Sequence, residues 1–348
     1  LFVEYDMKRN IRPWDKTVYI KVVRGFLCEG DEIVVRFGDR RQGSPGMRVQ
    51  TFCEDTFEFR VLVDAIATYN YVELPNQPTI AIVPGPPALF KAILPTLRRV
   101  GDLFRLCMKG EDRWGNPSDL CDATFTLRAS MDVDGLPETV TFETGGFGQI
   151  IEGLTVSSEG DLIIELWDGE GSVAAASNPC RFAAAKNPGA DLLPYWGDLH
   201  GQSEETIGTN SAQEFYDFAR DKAFLDACVH QGNDFQITNE FWQWLNELSA
   251  EFNVDDKFIV FPGWEWSGNT GLGGDRNILH MKEGRQIHRS SHALVDDLSD
   301  TDTDCNSAND LFEALKDEDC VVFAHIGGRY ADITIAHDDR LERAVEVH

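Results

Sequence analysis

From residue 195 onward, short and continuously apolar runs alternate with segments of helical period. This alternation constrains the fold more than any other feature of the chain. The runs are "YWGDLH" (195–200), "DACVH" (226–230), "KFIVFPGWE" (257–265), "RNILHM" (276–281), "CVVFAH" (320–325) and "RAVEVH" (343–348). The helical segments are 211–224, opened by Ser211, 240–252, preceded by Asn239, and 307–317, opened by Ser307 with Asp310 at the third helical position. Phe215, Phe218 and Ala219 form an apolar stripe on the first of these. Apolar strands separated by helices predict a parallel sheet or barrel.

Residues 1–185 have a different texture. Strand-like runs at 17–23, 31–37, 58–66, 79–85, 103–109, 123–129, 138–144 and 161–168 are separated by turn signals such as "RQGSPG", "PGPP" and "DVDGLPE". No long amphipathic helix interrupts them. The pattern predicts β-sandwich structure of immunoglobulin-like type. "EDRWGNPSD" (111–119) resembles a loop of bacterial immunoglobulin-like repeats. The expected organisation is multidomain: sandwich-like 1–85, sandwich-like 86–187, a linker "NPGADLLP" (187–194), and an α/β domain over 195–348.

The chain carries 59 acidic and 31 basic residues among 348, a net charge of −28. Such a surface disfavours nucleic acid, whose phosphates require basic patches. A small anionic substrate remains compatible where a metal supplies local positive charge. No apolar run approaches the roughly 20 residues of a membrane-spanning helix, so no membrane partner is expected. The eight cysteines contain no C-x-x-C pair, and Cys228 and Cys320 lie in apolar runs as buried thiols. The expected compartment is the cytoplasm; the chain does not begin with Met, which leaves room for a removed signal peptide.

The apolar runs share a second property. His200, His230, His280, His325 and His348 lie at or beside their C-terminal ends, and Glu265 ends another. In a parallel barrel those ends converge on one face. Imidazoles and a carboxylate meeting there suit Zn, Mn or Fe. His200, His230, Glu265, His325 and His348 are therefore metal-ligand candidates. Asp198 and Asp234 are candidates for orienting ligands or moving protons, and Arg276 for clamping an anionic oxygen. His288, His292 and His337 read as surface residues. Trp264 and Trp266 read as core packing, with an aromatic substrate wall as the alternative. "GLGGDR" (271–276) reads as a flexible lip over the metal face.

Four of these segments together resemble motifs of the PHP (polymerase and histidinol phosphatase) superfamily. "GDLHGQS" is similar to its Asp-x-His-x-His motif, "VHQGNDFQIT" to its Thr-Asp-His motif, "GWEWSG" to its strand-end Glu and "AHIGG" to its later His-Pro segment. The closest resemblance is to an uncharacterised PHP-like family with β-rich sequence before the domain. The resemblance implies a distorted α/β barrel, and two or three Zn, Mn or Fe ions that activate water for phosphoester hydrolysis. His200, Glu265 and His325 match motif positions residue by residue. Gln202 stands where the family has a second histidine, Gly232 and Asn233 replace the Asp-His pair, and Asp275 stands where a histidine is expected. Gln202 and Asp275 thereby join the metal candidates, in a site with fewer metals or a rearranged one. The six visible strands and the end at His348 suggest an incomplete barrel. The implied function is a metal-dependent phosphoesterase. Hydrolysis of a non-phosphate ester or amide, and a catalytically inactive binding protein, are the alternatives.

Overall fold

The computed structural model describes residues 1–9, 16–184 and 192–347. Backbone contacts divide the chain into Leu1–Val83 and Pro84–His348.

The first unit holds three two-stranded antiparallel ribbons. Phe2–Asp6 pairs with Thr17–Lys21, Glu54–Glu58 with Thr79–Ile82, and Leu62–Val63 with Val72–Glu73. The 31–37 run, expected as a strand, forms none. It finds no partner strand, and Ile33, Val34, Val35 and Phe37 stay exposed. Among the described residues, none of the buried apolar clusters lies in this unit.

The second unit begins with a β-sandwich-like region. A four-stranded sheet runs in the order Thr139–Phe142, Ala123–Ala129, Ile164–Trp167, Val173–Ala176. Three-stranded sheets of Gln149–Leu154, Phe104–Glu111 and Leu89–Ile93, and of Gly160–Leu162, Cys180–Ala183 and Leu97–Arg99, complete it. Alternation drives the packing: along Ala123–Ala129, Phe125 and Leu127 are buried while Thr124, Thr126 and Arg128 face out. Phe125 and Leu127 share one core with Leu106, Met108, Phe142, Ile164 and Phe182. The 161–168 run is two strands in two sheets, because the chain changes sheet at Ile163. The "EDRWGNPSD" turn is built on Asp112. Its buried carboxylate accepts the N–H groups of Gly85, Trp114 and Asn116 and the Asn116 amide.

The C-terminal part has its own core, including Leu245, Leu248, Val260, Trp264, Trp266, Leu311 and Val322. Its first sheet is parallel, in the order Gly197–Gly201, Ala227–His230, Ile259–Phe261. The helices Ala212–Asp217 and Asn239–Phe252 connect these strands, capped by Ser211 and Thr238. After Asp217 the backbone widens into a π turn, Phe218–Lys222. That turn breaks the expected stripe: Ala219 is buried, but Phe218 is 42% exposed. The second sheet runs Gly263–Trp266, Arg276–His280, Cys320–Ala324, Glu342–Val345. Here the expectation of parallel strands fails. Arg276–His280 is antiparallel to both neighbours. Residues 267–275 are too short for a crossover helix, so the chain turns back as a hairpin. An isolated parallel bridge from Asn233 to Glu265 links the two sheets. No helix among the described residues is long and apolar enough to cross a membrane.

The sandwich braces the α/β part where its first two strands begin. Arg105 donates to Asp226 at 2.8 Å and to the carbonyls of Phe224 and Leu225, both at 3.2 Å. Asp226 in turn accepts the Trp196 N–H, and the Trp196 indole donates to the Leu94 carbonyl. One arginine thus holds the starts of Gly197–Gly201 and Ala227–His230 together. Replacing it with Met should destabilise the chain by about 2 kcal/mol, because charged hydrogen bonds are lost and carbonyls are left partly unpaired. Denaturant unfolding checks this, and an unchanged midpoint would remove Arg105 from the account.

Candidate metal centre

Strand alternation decides which side chains reach the site. His200 lies near the end of the first strand and Glu265 on the Gly263–Trp266 strand. His325 follows Cys320–Ala324, its N–H donating to the Asp275 carbonyl at 3.2 Å. These three side chains converge. His200 Nε2 stands 3.5 Å from Glu265 Oε2, and His325 Nε2 stands 4.0 Å from Glu265 Oε1. The two imidazoles meet edge to face with centroids 4.5 Å apart.

Behind the rings lies a residue that the sequence pattern did not single out. Glu346 accepts from His200 Nδ1 at 2.8 Å through one oxygen and from His325 Nδ1 through the other. One carboxylate therefore takes both Nδ1 protons and leaves both Nε2 atoms directed toward Glu265. The Asn277 amide nitrogen sits 3.3 Å from His200 Nδ1. Gln202 donates to Glu265 Oε2 at 3.3 Å and accepts from Thr206 Oγ1 at 3.1 Å. It orients the glutamate. A cavity of about 520 Å³ opens over the cluster, lined by His200, Gln202, Ile207, His325 and Glu346.

Electrostatics at the cluster favour a cation. Burial opposes charge on the His200 ring, yet the carboxylates of Glu265 and Glu346 outweigh it and hold its pKa up to about 9. Ligand atoms around a tetrahedral or octahedral ion with bonds near 2.1 Å stand about 3.0–4.2 Å apart. The separations of 3.5 and 4.0 Å lie within that range. Two imidazoles and one carboxylate, with an open cavity side, fit Zn or Fe(II).

The other candidates stand elsewhere. His230 pairs with Gly201, one step past His200, so alternation turns it to the opposite face. There it is fully buried. Its Nδ1 accepts the Gly232 N–H at 3.2 Å, so Nε2 carries the proton and donates to Ser203 Oγ at 2.7 Å. Burial lowers its pKa to about 3. This tautomer cannot activate Ser203 as a nucleophile. Arg276 is also fully buried: it pairs with Glu342 at 2.5 Å and donates to the carbonyls of Gly273 and Ala336. It is a structural tie and cannot clamp a substrate. Asp275, just before that strand, binds Arg329 and is not among the converging groups. Burial raises its pKa to about 6 against the opposing pull of Arg329. Asp198 accepts the His200 N–H at 2.9 Å and fixes the backbone beneath that ring. Asp234 is buried against Ser290. His280 is buried against Trp264, with ring centroids 5.2 Å apart. His348 lies outside the described residues.

Three secondary expectations also resolve. Trp264 and Trp266 are core residues with no exposure. The "GLGGDR" segment is packed down from Gly273 onward, while Gly271 and Leu272 stay exposed: a Cβ on Gly274 would meet the Tyr330 carbonyl oxygen at 2.1 Å. His292, expected on the surface, is enclosed between Asp300 and Asp304 at 2.9 and 3.0 Å.

No family model matches the chain. Among curated proteins it is similar to an uncharacterized protein of Chlamydia pneumoniae, 25% identical over 245 residues, covering 68% of this chain and 38% of that protein. Uncharacterized proteins of Chlamydia muridarum and Chlamydia trachomatis serovar D are each 24% identical over 250 residues, 70% of this chain and 39% of theirs. The chain thus spans under two fifths of the length of these curated relatives. Solved structures with some likeness include the D0-D1 domain of intimin, with a TM-score of 0.22 at 12% identity over 37% of this chain and 63% of that one. The D00-D0 domain of intimin gives 0.23 at 9% identity, over 52% and 78%. TM-scores that low leave the fold to be argued from the chain's own strands.

Two outcomes are expected. Glu346→Gln should weaken zinc binding about 10–100-fold, as loss of a carboxylate behind a ligating histidine does. Competition with a chromophoric chelator measures it, and unchanged affinity would mean that Glu346 does not orient the rings. Separately, burial, opposed by hydrogen bonds from Ser290, pushes Asp234 up to about 7. The folded chain therefore holds a proton that the unfolded chain releases near 4. Its contribution to stability is complete below that value and is lost as pH rises through 7. Asp234→Asn should flatten the decline in Tm between pH 5 and pH 8; an identical pH profile in variant and parent would contradict this.

Proposed function

We propose that residues 195–348 form a PHP-like hydrolase centre that uses one divalent ion, with a phosphoester as substrate. The observation that carries this reading is the convergence of His200 Nε2, Glu265 and His325 Nε2 below an open cavity, with both Nδ1 atoms held by Glu346. The sequence resemblance supports it at the same three positions. The antiparallel Arg276–His280 strand is a departure from a parallel barrel, and the replacement of the second motif histidine by Gln202 accords with one ion rather than two or three.

An ion bound there would act as a Lewis acid and bring the pKa of water near neutrality. The residues of the chain do the rest. Glu346 keeps the imidazoles in the ligating tautomer. Gln202 fixes Glu265 through one oxygen and leaves the other toward His325. Ile207 and the ring edges supply the apolar part of the cavity wall. Glu265 and Glu346 place negative charge on both sides of the His200 ring, at 3.5 and 2.8 Å, which favours a cation between the ligand atoms.

Turnover of p-nitrophenyl phosphate, bis-p-nitrophenyl phosphate and p-nitrophenyl acetate by the Zn- or Mn-loaded chain tests this. Chelation, His200→Ala and Glu265→Gln should each lower phosphoester turnover at least about 100-fold. Activity indifferent to all three would sink the metal reading, and turnover confined to the acetate ester would sink the phosphoester one.

A further inference from the structure

The proposed centre lacks a cation to receive the charged end of a phosphoester. Arg276 does not serve, since its guanidinium is buried on Glu342. We propose that Arg329 is the anion clamp of this site, and that it binds the phosphoryl oxygens of the substrate. The proposal rests on the metal-centre reading above.

Four observations carry it. First, Arg329 lies four residues after His325, across Gly327 and Gly328, and the loop folds tightly back on that histidine. A Cβ on Gly327 would sit 2.8 Å from the His325 ring, and the Ala331 N–H donates to the His325 carbonyl at 2.8 Å. Second, Arg329 is held in place. The Asp275 carboxylate accepts its backbone N–H and its Nε–H, both at 3.1 Å, and the Asp275 N–H donates to its carbonyl at 2.8 Å. The same Asp275 accepts the His325 N–H through its own carbonyl, so one residue sets both side chains in register. Third, the guanidinium lies 5.6 Å from the Phe235 ring centroid, within cation–π range. Fourth, its far edge is open. The side chain is 41% exposed, and among the described residues no hydrogen bond or ion pair uses Nη1 or Nη2. A guanidinium has five N–H donors in a fixed fork, and Asp275 uses one of them. The remaining edge has the geometry that grips two phosphoryl oxygens at once.

Holding an arginine by Nε while leaving its terminal nitrogens free also explains Asp275. A position expected to bind metal instead orients the clamp. Arg329 is thus a binding residue, and Asp275 a positioning residue that acts through it.

The test is calorimetric binding of inorganic phosphate, with acetate in parallel, to the full 348-residue chain loaded with zinc. Zinc affinity is measured separately by chelator competition. Arg329→Ala should weaken phosphate binding about tenfold or more, a loss of about 1.4 kcal/mol, and leave zinc affinity unchanged. Arg329→Lys should recover only part of that loss, because a single ammonium cannot bind bidentately. Its fold is checked by circular dichroism, so a misfolded alanine variant does not decide the matter. Phosphate affinity unchanged in both variants would overturn the clamp while leaving the metal centre standing. Acetate binding as tight as phosphate would overturn the phosphoryl assignment. Failure of the parent chain to bind zinc would overturn the metal centre, and the clamp with it.

Discussion

A single carboxylate shared by two imidazoles organises the candidate site. Glu346 receives the Nδ1 protons of His200 and His325, which belong to opposite ends of the α/β part. Gly197–Gly201 opens the first sheet and Glu342–Val345 closes the second, with Glu346 one residue beyond it. Contact between their ends requires the two sheets to curve toward each other around Glu265. The parallel Asn233–Glu265 bridge joins the two sheets at that glutamate. Closure of the fold and the tautomers of the two histidines are therefore one constraint. The site concentrates negative charge around two imidazoles, an arrangement that becomes favourable when a cation is bound.

The surrounding fold serves this arrangement. The sandwich anchors the beginnings of the first two α/β strands through Arg105 and Trp196, away from the ends where His200, Glu265 and His325 gather. Buried ties such as Arg276–Glu342 stitch the second sheet from its opposite face. The two faces of that sheet divide the work. Asn277 reaches His200 and Asp275 holds Arg329, while Arg276 between them is buried on Glu342.

Much of this was legible in the sequence. Apolar runs with polar ends identified the strands of the α/β part, and strand-end position identified His200, Glu265 and His325. The same rule misjudged His230, because end position does not reveal which face a side chain takes; its register opposite Gly201 turns it away. Arg276 was misread for the same reason. Glu346 escaped notice because a chain with 59 acidic residues offers many glutamates near strands, and only tertiary closure selects this one. Arg329 lay hidden behind two glycines in a loop without periodicity. Its link to Asp275 spans 54 residues of sequence. The direction of Arg276–His280 was illegible too, since apolar runs look alike in parallel and antiparallel sheets.

The central claim concerns where an ion sits. Anomalous diffraction from crystals of the zinc-soaked chain tests it most directly. The account predicts one strong peak bonded to His200 Nε2, His325 Nε2 and a Glu265 oxygen, with Glu346 remaining on both Nδ1 atoms. Zinc found on the Nδ1 side, or absent from the cluster while bound elsewhere on the chain, would contradict it.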